Sequence, residues 1–172
     1  MKKFLLKVSV TLIILVLSAL IFFKMKQTQI PQESNTNYSL ETTYAMIKPD
    51  ATSKGYIAAI KNKIQENGFT ILQEKEMKLT KDQAEEFYAE HKEKSFFPEL
   101  IEFMTSGDIV ALELEKNNAV TEWRKLMGAT NPSEAAEGTV RKEFGASKSQ
   151  NAVHGSDSKE SAERELYLIF GK

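Results

Sequence analysis

The feature that most limits the fold of this chain is an alternation of two residue patterns that begins at residue 42. Stretches rich in β-branched and aromatic residues, typical of strands, alternate with stretches whose apolar residues recur every three or four positions, typical of amphipathic helices. Thr80 and Gln83 have the spacing of a helix-starting capping box. Strands are predicted over 42–47, 69–79, 109–115 and 151–154, and helices over 56–67, 80–91, 95–104, 118–127 and 158–170, with a short helix or turn over 139–144.

The resulting order of elements, β-α-β-α-α-β-α-β-α, places the chain in the α/β (α+β) class. It suits a split β-α-β sheet of the ferredoxin-like type. That topology serves many functions, RNA binding among them, so the fold by itself does not indicate what the chain does. Residues 42–172 are long enough for one domain with a substantial core.

An apolar segment precedes this domain. Residues 8–23 carry no charge, three lysines lie before them, and two lysines follow. Such a stretch is a signal peptide or an uncleaved signal anchor, and the poor match to a cleavage site favours a hydrophobic helix that anchors the chain in a membrane. The lysine excess before the segment favours an extracytoplasmic domain, with secretion after cleavage or a cytoplasmic location as the alternatives. The predicted divisions are a transmembrane segment (1–26), a polar tether (27–41) and the folded domain (42–172).

The charge of the domain argues against nucleic acid as a partner. Five of the 23 basic residues and one of the 24 acidic residues lie within residues 1–37, which leaves residues 38–172 with a net charge of −5. An acidic domain binds nucleic acid poorly without a basic surface, so a phosphate ligand would need a few well-placed cations. The chain has no cysteine, which excludes a disulfide framework, a thiolate metal site and a cysteine nucleophile.

One stretch, residues 151–158, has the residues of a catalytic turn. A short apolar strand is predicted to end at His154, and Gly155 is expected to let the chain turn sharply after it. Asp157 or Ser158 is expected to cap the helix that follows. A carboxylate on that helix, Glu163 or Glu165, can reach back to the imidazole, and a histidine oriented by a carboxylate is a nucleophile or a general base. A lone histidine with local hydrogen bonds in the core is the alternative interpretation.

Other candidate residues are cations, donors and one aromatic side chain. Lys48 ends the first strand, which is a common place for ligand contacts in α/β sheets. Arg124 lies on a helix opposite its apolar face, and Arg141 and Thr130 lie in or after a loop of small residues. Phe96 is either a core residue or a platform for a base. The sequence has no P-loop, no Gly-x-Gly-x-x-Gly loop and no His-Glu-x-x-His motif.

Five motifs occur in order along the domain: MIKPD at 46–50, FFP at 96–98, GATNP at 128–132, GTVR at 138–141 and NAVHGSDS at 151–158. Together they resemble the nucleoside diphosphate kinase family. The resemblance extends over about residues 42–171, and the His-Gly-Ser-Asp-Ser motif is highly specific. It implies a ferredoxin-like sandwich with a four-stranded antiparallel sheet. It also implies a ping-pong transfer of the γ-phosphate of ATP to nucleoside diphosphates through a phosphohistidine.

The same resemblance implies roles for individual residues. His154 would be the phosphorylated nucleophile, Glu165 would hold its opposite ring nitrogen, and Ser156 would orient Glu165. Lys48 and Tyr88 would contact the transferred phosphoryl group. Arg124, Thr130 and Arg141 would bind the remaining phosphates. Asn151 and Lys48 would bind the sugar hydroxyls. Phe96 would stack on the base, and Leu100 would line the same slot.

The resemblance implies Mg²⁺ as a cofactor, held through phosphate oxygens and water and therefore without a protein carboxylate cluster. It also implies a homo-oligomer, either a tetramer or a hexamer. Two alternatives share the site: a non-catalytic nucleotide-binding or signalling domain, and transfer of the phosphate from His154 to another protein. An RNA-binding module is disfavoured because the domain is acidic and has no basic aromatic strand.

Overall fold

The computed structural model describes residues 40–171. The predicted alternation of strands and helices is present, with two additions: a short helix directly after Lys48 and a 3₁₀ turn where the second predicted helix was expected to continue. The elements are β1 (Leu40–Ile47), α1 (Pro49–Thr52), α2 (Ile57–Glu66), β2 (Thr70–Met77), α3 (Lys81–Phe87), a 3₁₀ turn (Ala89–His91), α4 (Phe97–Met104), β3 (Ile109–Asn117), α5 (Ala119–Met127), α6 (Val140–Phe144), β4 (Val153–Gly155) and α7 (Lys159–Phe170).

The four strands form one antiparallel sheet in the order β2-β3-β1-β4. This order confirms the ferredoxin-like fold expected from the sequence. In the register between β1 and β4, Met46 is opposite His154 and Ile47 is opposite Val153. Because the chain leaves β1 at Lys48, that lysine and the histidine are brought to the same end of the sheet.

Each face of the sheet is covered by helices, and β1 supplies side chains to both cores. On one face, Ile47 packs with the buried side chains of α2 and α5, which include Ile64 and Trp123. On the other face, Tyr44 and Met46 pack with side chains from α3, α4 and α7. Burial of β1 on both faces holds the strand rigidly, so the residues at its end are fixed in position.

Three helix starts can be compared with the sequence, and one of them differs from the expected side-chain capping. Asn118 occupies the N-cap position of α5 in a left-handed conformation, with φ of 55°, and its side chain makes no capping hydrogen bond. Ser158, rather than Asp157, caps α7, since its hydroxyl accepts the N–H of Ser161 at 3.0 Å. The capping box of Thr80 and Gln83 is present as predicted.

The strand at the histidine also differs from the prediction. It was expected over Asn151–His154, whereas β4 spans Val153–Gly155 and Ala152 adopts a left-handed φ of 66°. Gly155 was expected to form the turn, but it lies within the strand. A Cβ on Gly155 would lie 2.3 Å from Nε1 of Trp123, so the glycine is required by close packing rather than by a turn.

The folded unit begins slightly earlier than predicted, because β1 starts at Leu40 rather than at residue 42. The predicted membrane segment over 8–23 and most of the predicted tether lie outside the described residues. Within residues 40–171, no helix combines the length and the apolar character needed to cross a membrane.

Candidate active site

His154 lies on β4 with its imidazole partly exposed, and a buried carboxylate from α7 holds one of its nitrogens. Oε2 of Glu165 is 3.1 Å from Nε2 of His154, and the same oxygen accepts the hydroxyl of Ser156 at 2.7 Å. Glu165 is 2% exposed and Ser156 is fully buried, so both groups are fixed. Of the two carboxylates considered from the sequence, Glu163 is exposed and Glu165 is the one that contacts the imidazole.

The pairing determines which ring nitrogen of His154 can react. A carboxylate accepts a hydrogen bond, so Nε2 carries the proton in the neutral imidazole. Nδ1 is then left with a free lone pair. A fixed imidazole with one nitrogen engaged and the other unprotonated is a competent nucleophile.

Three aromatic rings surround the imidazole on its protein side. The ring centroids of Phe87, Tyr44 and Tyr88 lie 5.3, 6.0 and 6.0 Å from that of His154. Burial and, to a smaller extent, the charge of Glu165 raise the pKa of Tyr88 above its usual value. Tyr88 therefore keeps its phenolic proton at every physiological pH and can act as a hydrogen-bond donor beside the histidine.

Lys48, at the end of β1, is a buried cation with fixed partners. Its Nζ donates to Oδ1 of Asn151 at 2.9 Å and to the carbonyl of Ser149 at 3.0 Å. Burial lowers the pKa of Lys48 to about 8, an effect that Asp50 opposes and Arg141 reinforces. Lys48 and Asn151, both predicted to contact a nucleotide, are therefore in direct contact.

Asn151 also connects this pair to the small-residue loop. Its Nδ2 donates to the carbonyl of Thr130 and to that of Lys148, each at 3.0 Å. Thr130 is exposed at the surface of the loop. The contact places Thr130 next to Asn151, as expected if both residues face one ligand.

Two arginines place positive charge on the same side of the molecule. Arg141, at the start of α6, donates to the carbonyls of Gly128 and Val153 at 3.0 and 3.2 Å, so it is fixed against β4. Burial and the nearby charge of Arg124 lower the pKa of Arg141 to about 10. Two guanidinium groups that lie close enough to repel each other form a site suited to a polyanion.

Arg124 extends from α5 and is exposed to solvent. It helps to lower the pKa of Asp157, although the larger cause is the hydrogen bond that Ser161 donates to Asp157. The interaction with His154 also lowers the pKa of Asp157. These electrostatic effects place Arg124 within range of the turn that follows the histidine.

The predicted base platform lies at the start of α4. Phe96 is 50% exposed, which is unusual for a large aromatic side chain and agrees with a stacking role better than with a core role. Leu100 is half-buried one helical turn later, and its backbone N–H donates to the carbonyl of Phe96 at 3.0 Å.

His91, expected to be a solvated helix residue, lies between two predicted site residues. Its ring stacks on Tyr88 with a centroid distance of 6.3 Å and an interplanar angle of 21°. It also contacts Phe96 at 5.7 Å. The helical periodicity of residues 80–91 could not reveal this, because the helix ends at Phe87 and a 3₁₀ turn carries His91 into its position.

One further residue near the site was given no role from the sequence. Asp50, at the start of α1, is 7% exposed, and its Oδ2 accepts the backbone N–H of Ala152 at 2.9 Å. Within residues 40–171, no group of three histidine, aspartate or glutamate side chains is placed to bind a metal ion.

The model of one protein family matches this chain. The match is to nucleoside diphosphate kinase and extends over residues 41–172. Curated relatives described as nucleoside diphosphate kinases include one from Oleidesulfovibrio alaskensis, 52% identical over 130 residues, which are 76% of this chain and 94% of the relative. Another, from Deinococcus radiodurans, is 48% identical over 132 residues, which are 77% of this chain and 96% of the relative.

Solved structures agree. The nucleoside diphosphate kinase of Aquifex aeolicus superimposes with a TM-score of 0.76 at 41% identity, covering 77% of this chain and 96% of that one. A halophilic nucleoside diphosphate kinase from Halobacterium salinarum, solved in complex with CDP, gives a TM-score of 0.75 at 38% identity. The superposition with that protein covers 78% of this chain and 90% of the other.

Proposed function

This chain belongs to the nucleoside diphosphate kinase family and is a phosphotransferase, and we propose that it transfers the γ-phosphate of ATP to nucleoside diphosphates through His154. The observation that carries the proposal is the contact of Nε2 of His154 with Glu165, which leaves Nδ1 free to attack. Cations and hydrogen-bond donors are among the other side chains assigned to this site, as phosphoryl transfer requires.

In the first half-reaction, the lone pair of Nδ1 attacks the γ-phosphorus and forms a P–N bond. The bond from the γ-phosphorus to the bridging oxygen breaks, and ADP leaves with that electron pair. Glu165 stabilises the positive charge that develops on the imidazole. In the second half-reaction, a terminal phosphate oxygen of a nucleoside diphosphate attacks the phosphorus and the P–N bond breaks. The free imidazole is restored, which gives ping-pong kinetics.

Lys48 and Tyr88 are proposed to contact the phosphoryl group during transfer. Lys48 supplies a positive charge whose position is fixed by Asn151 and Ser149. Tyr88 supplies an O–H that burial keeps protonated. Donors held in place before the reaction stabilise the developing charge without reorganising, which is the largest effect that a protein can add to this chemistry.

The other phosphates and the sugar are assigned to the residues around Lys48 and Asn151. Arg124, Arg141 and Thr130 are proposed to bind the remaining phosphates, and Asn151 with Lys48 the sugar hydroxyls. Support comes from the polar contacts that connect Lys48 to Asn151 and Asn151 to the carbonyl of Thr130.

The base is proposed to stack on Phe96 against Leu100. A half-exposed ring offers its face to any base and makes no base-edge hydrogen bonds. The enzyme would therefore accept purine and pyrimidine nucleotides alike.

Mg²⁺ is proposed to reach the site bound to the phosphates of the nucleotide and to water. The donor set agrees with this, because the side chains assigned to the phosphates are cations and hydroxyls, and Glu165 is already engaged by His154 and Ser156. When bound, the ion neutralises phosphate charge. Lys48 and the two arginines then orient the phosphate chain relative to Nδ1.

The proposal is tested by steady-state kinetics with ATP as donor and UDP as acceptor. Parallel lines in double-reciprocal plots are expected for the wild type, together with loss of turnover in a His154→Gln variant that keeps its circular dichroism spectrum. Intersecting lines, or turnover by the variant, would remove the phosphohistidine from the mechanism.

We also propose a homo-oligomer, either a tetramer or a hexamer, on the basis of family membership. Three large apolar side chains, Leu40, Leu72 and Tyr167, are exposed on the single chain and are available for subunit contacts. Sedimentation equilibrium on the domain distinguishes four or six subunits from a monomer, and a monomer would end this proposal.

The location of the enzyme is proposed from residues 8–23, whose apolar run between lysines suits a membrane anchor with the domain outside the cytoplasm. Fractionation of cells that express the chain with and without residues 1–26 tests it. The full chain is expected in the membrane fraction and accessible to external protease. A soluble full chain would favour secretion or the cytoplasm.

A further inference from the structure

A strained turn lies between Asn151 and the nucleophile. Ala152 has φ of 66°, and the N–H of Val153 donates to the carbonyl of Asn151 at 2.8 Å. A hydrogen bond from one residue to the second before it, around a central positive φ, is a γ-turn of the rare and strained kind. Alanine has no intrinsic preference for this conformation, so neighbouring groups must hold it.

Asp50 and Lys48 hold the turn through the backbone N–H and the backbone carbonyl of Ala152. Oδ2 of Asp50 accepts the N–H of Ala152 at 2.9 Å, and the N–H of Lys48 donates to the carbonyl of Ala152 at 2.8 Å. Asp50 precedes Ala152 by 102 residues, so this is a tertiary contact. Two hydrogen bonds to one strained residue fix the direction in which Asn151 and His154 leave it.

The second oxygen of Asp50 points to a role beyond this hydrogen bond. Oδ1 is buried and has no hydrogen-bond partner within the described part of the chain. A neutral acceptor would serve the Ala152 N–H equally well at a lower desolvation cost, since burying a charge is expensive. The charge itself therefore needs an explanation, and the cation closest in sequence is Lys48.

The surroundings of Lys48 supply that explanation. Asp50 on α1 and Arg141 on α6 are the charged groups that act on it, and they act in opposite directions. Asn151 and the ring of Phe103, 4.9 Å from Nζ, are uncharged neighbours. Burial and Arg141 both lower the pKa of Lys48 and favour the neutral amine, whereas Asp50 raises that pKa and favours the charged form.

We propose that Asp50 is a positioning residue that fixes the Ala152 turn beneath Asn151 and His154 and keeps Lys48 positively charged. This inference rests on the proposed function, since Lys48 and Asn151 matter only if they meet the nucleotide. Asp50 itself touches no reacting atom.

Two variants separate the two effects. Asp50→Asn removes the charge but keeps an oxygen that can accept the N–H of Ala152, whereas Asp50→Ala removes both. Asp82→Asn, at an exposed position in the first turn of α3, is the matched control and is expected to behave as the wild type. Thermal unfolding establishes that each variant is folded at the assay temperature.

The readout is the pH profile of kcat/KM, which reports the free enzyme. The kcat/KM value is expected to fall at alkaline pH as Lys48 loses its proton. In Asp50→Asn this alkaline limb of the profile is expected to lie about one pH unit lower than in the wild type. The variant's kcat/KM should then be roughly tenfold below the wild type at pH 9 and about twofold below it at pH 7. Asp50→Ala is expected to lose at least a further tenfold at every pH, because the turn is released. A limb unchanged in Asp50→Asn, or equal profiles for the two variants, would overturn the proposal.

An NMR titration of the Lys48 amine, labelled with ¹⁵N and assigned by Lys48→Arg, needs no turnover. A lower pKa in Asp50→Asn than in the wild type is expected. If the NMR shift appears in a protein that transfers no phosphate, the proposed function fails and the inference about Asp50 and Lys48 stands. If the protein transfers phosphate but the Lys48 pKa does not move, the inference fails alone.

Discussion

The hydroxyl of Ser156 donates to Oε2 of Glu165 at 2.7 Å, and this is the oxygen that lies 3.1 Å from Nε2 of His154. Ser156 directly follows β4, whereas Glu165 lies two turns into α7. The strand, the turn and the helix therefore each contribute one group to a single chain of contacts. That chain fixes the imidazole before any substrate arrives.

Replacing Glu165 by Gln should reduce kcat by about 10²-fold. The amide can still contact Nε2, but it cannot stabilise the imidazolium as a carboxylate does and it permits the wrong tautomer. Steady-state kinetics check this. Glu163→Gln, an exposed substitution on the same helix, is the control and should keep wild-type kcat; equal losses in both variants would mean that helix stability, not the contact, is responsible.

The activity should have an alkaline limb set by Lys48. Its folded pKa, lowered by burial to about 8, lies below its usual value, so the amine loses its charge as the pH rises through that region. The kcat/KM value should therefore fall above about pH 8. A guanidinium does not titrate there, so Lys48→Arg should be less active but flat between pH 7 and 9. If kcat/KM of Lys48→Arg still fell above pH 8, the alkaline fall would belong to another group.

Removing the ring of Phe96 should weaken binding of all nucleotides alike. Base–aromatic stacking contributes ~1–3 kcal/mol, and for a half-exposed ring the lower end of this range predicts a KM roughly five- to tenfold higher. The comparison is between Phe96→Ala, which removes the ring, and Phe96→Tyr, which keeps an aromatic face for stacking. KM values for purine and pyrimidine diphosphates are the measurement. A loss confined to one base would contradict simple stacking.

Gly155→Ala should destabilise the domain by about 2–3 kcal/mol, the upper part of the range for overpacked cores. The new Cβ would lie 2.3 Å from Nε1 of Trp123, a fully buried ring that cannot move away. The indole N–H that donates to the carbonyl of His154 at 3.3 Å would also be displaced. Chemical denaturation measures the change.

Gly107→Ala is the matched control for that variant, because its nearest neighbour would be the Cβ of Pro49 at 3.4 Å, an ordinary contact. Its effect should stay within about 1 kcal/mol. Similar midpoints for the two variants would show that the Trp123 contact relaxes without cost.

The sequence was sufficient for the order of the strands and the longer helices, for the place of His154 on the last strand and for the identity of the family. The residue pattern left open whether Glu163 or Glu165 meets the imidazole, and only the family resemblance implied Glu165. Helical phase could have decided this, because Glu165 shares the buried face of α7 with Ala162 and Leu166.

Other features could not be read from local patterns. The left-handed Ala152 depends on Asp50, 102 positions earlier, and the need for Gly155 depends on Trp123 on a different helix. His91 reaches Tyr88 only because α3 ends early in a 3₁₀ turn. In each case a contact distant in sequence overrides the local preference, and residue patterns carry no information about such contacts.

The most direct test is to ask whether His154 itself becomes phosphorylated. The enzyme is incubated with γ-labelled ATP and Mg²⁺, separated from nucleotide, and then treated with acid or with unlabelled UDP. We expect about one acid-labile phosphate per chain, quantitatively released to UDP, in the wild type and in His91→Gln, and none in His154→Gln. An enzyme that never becomes labelled, or a His154→Gln variant that does, would contradict transfer through this histidine.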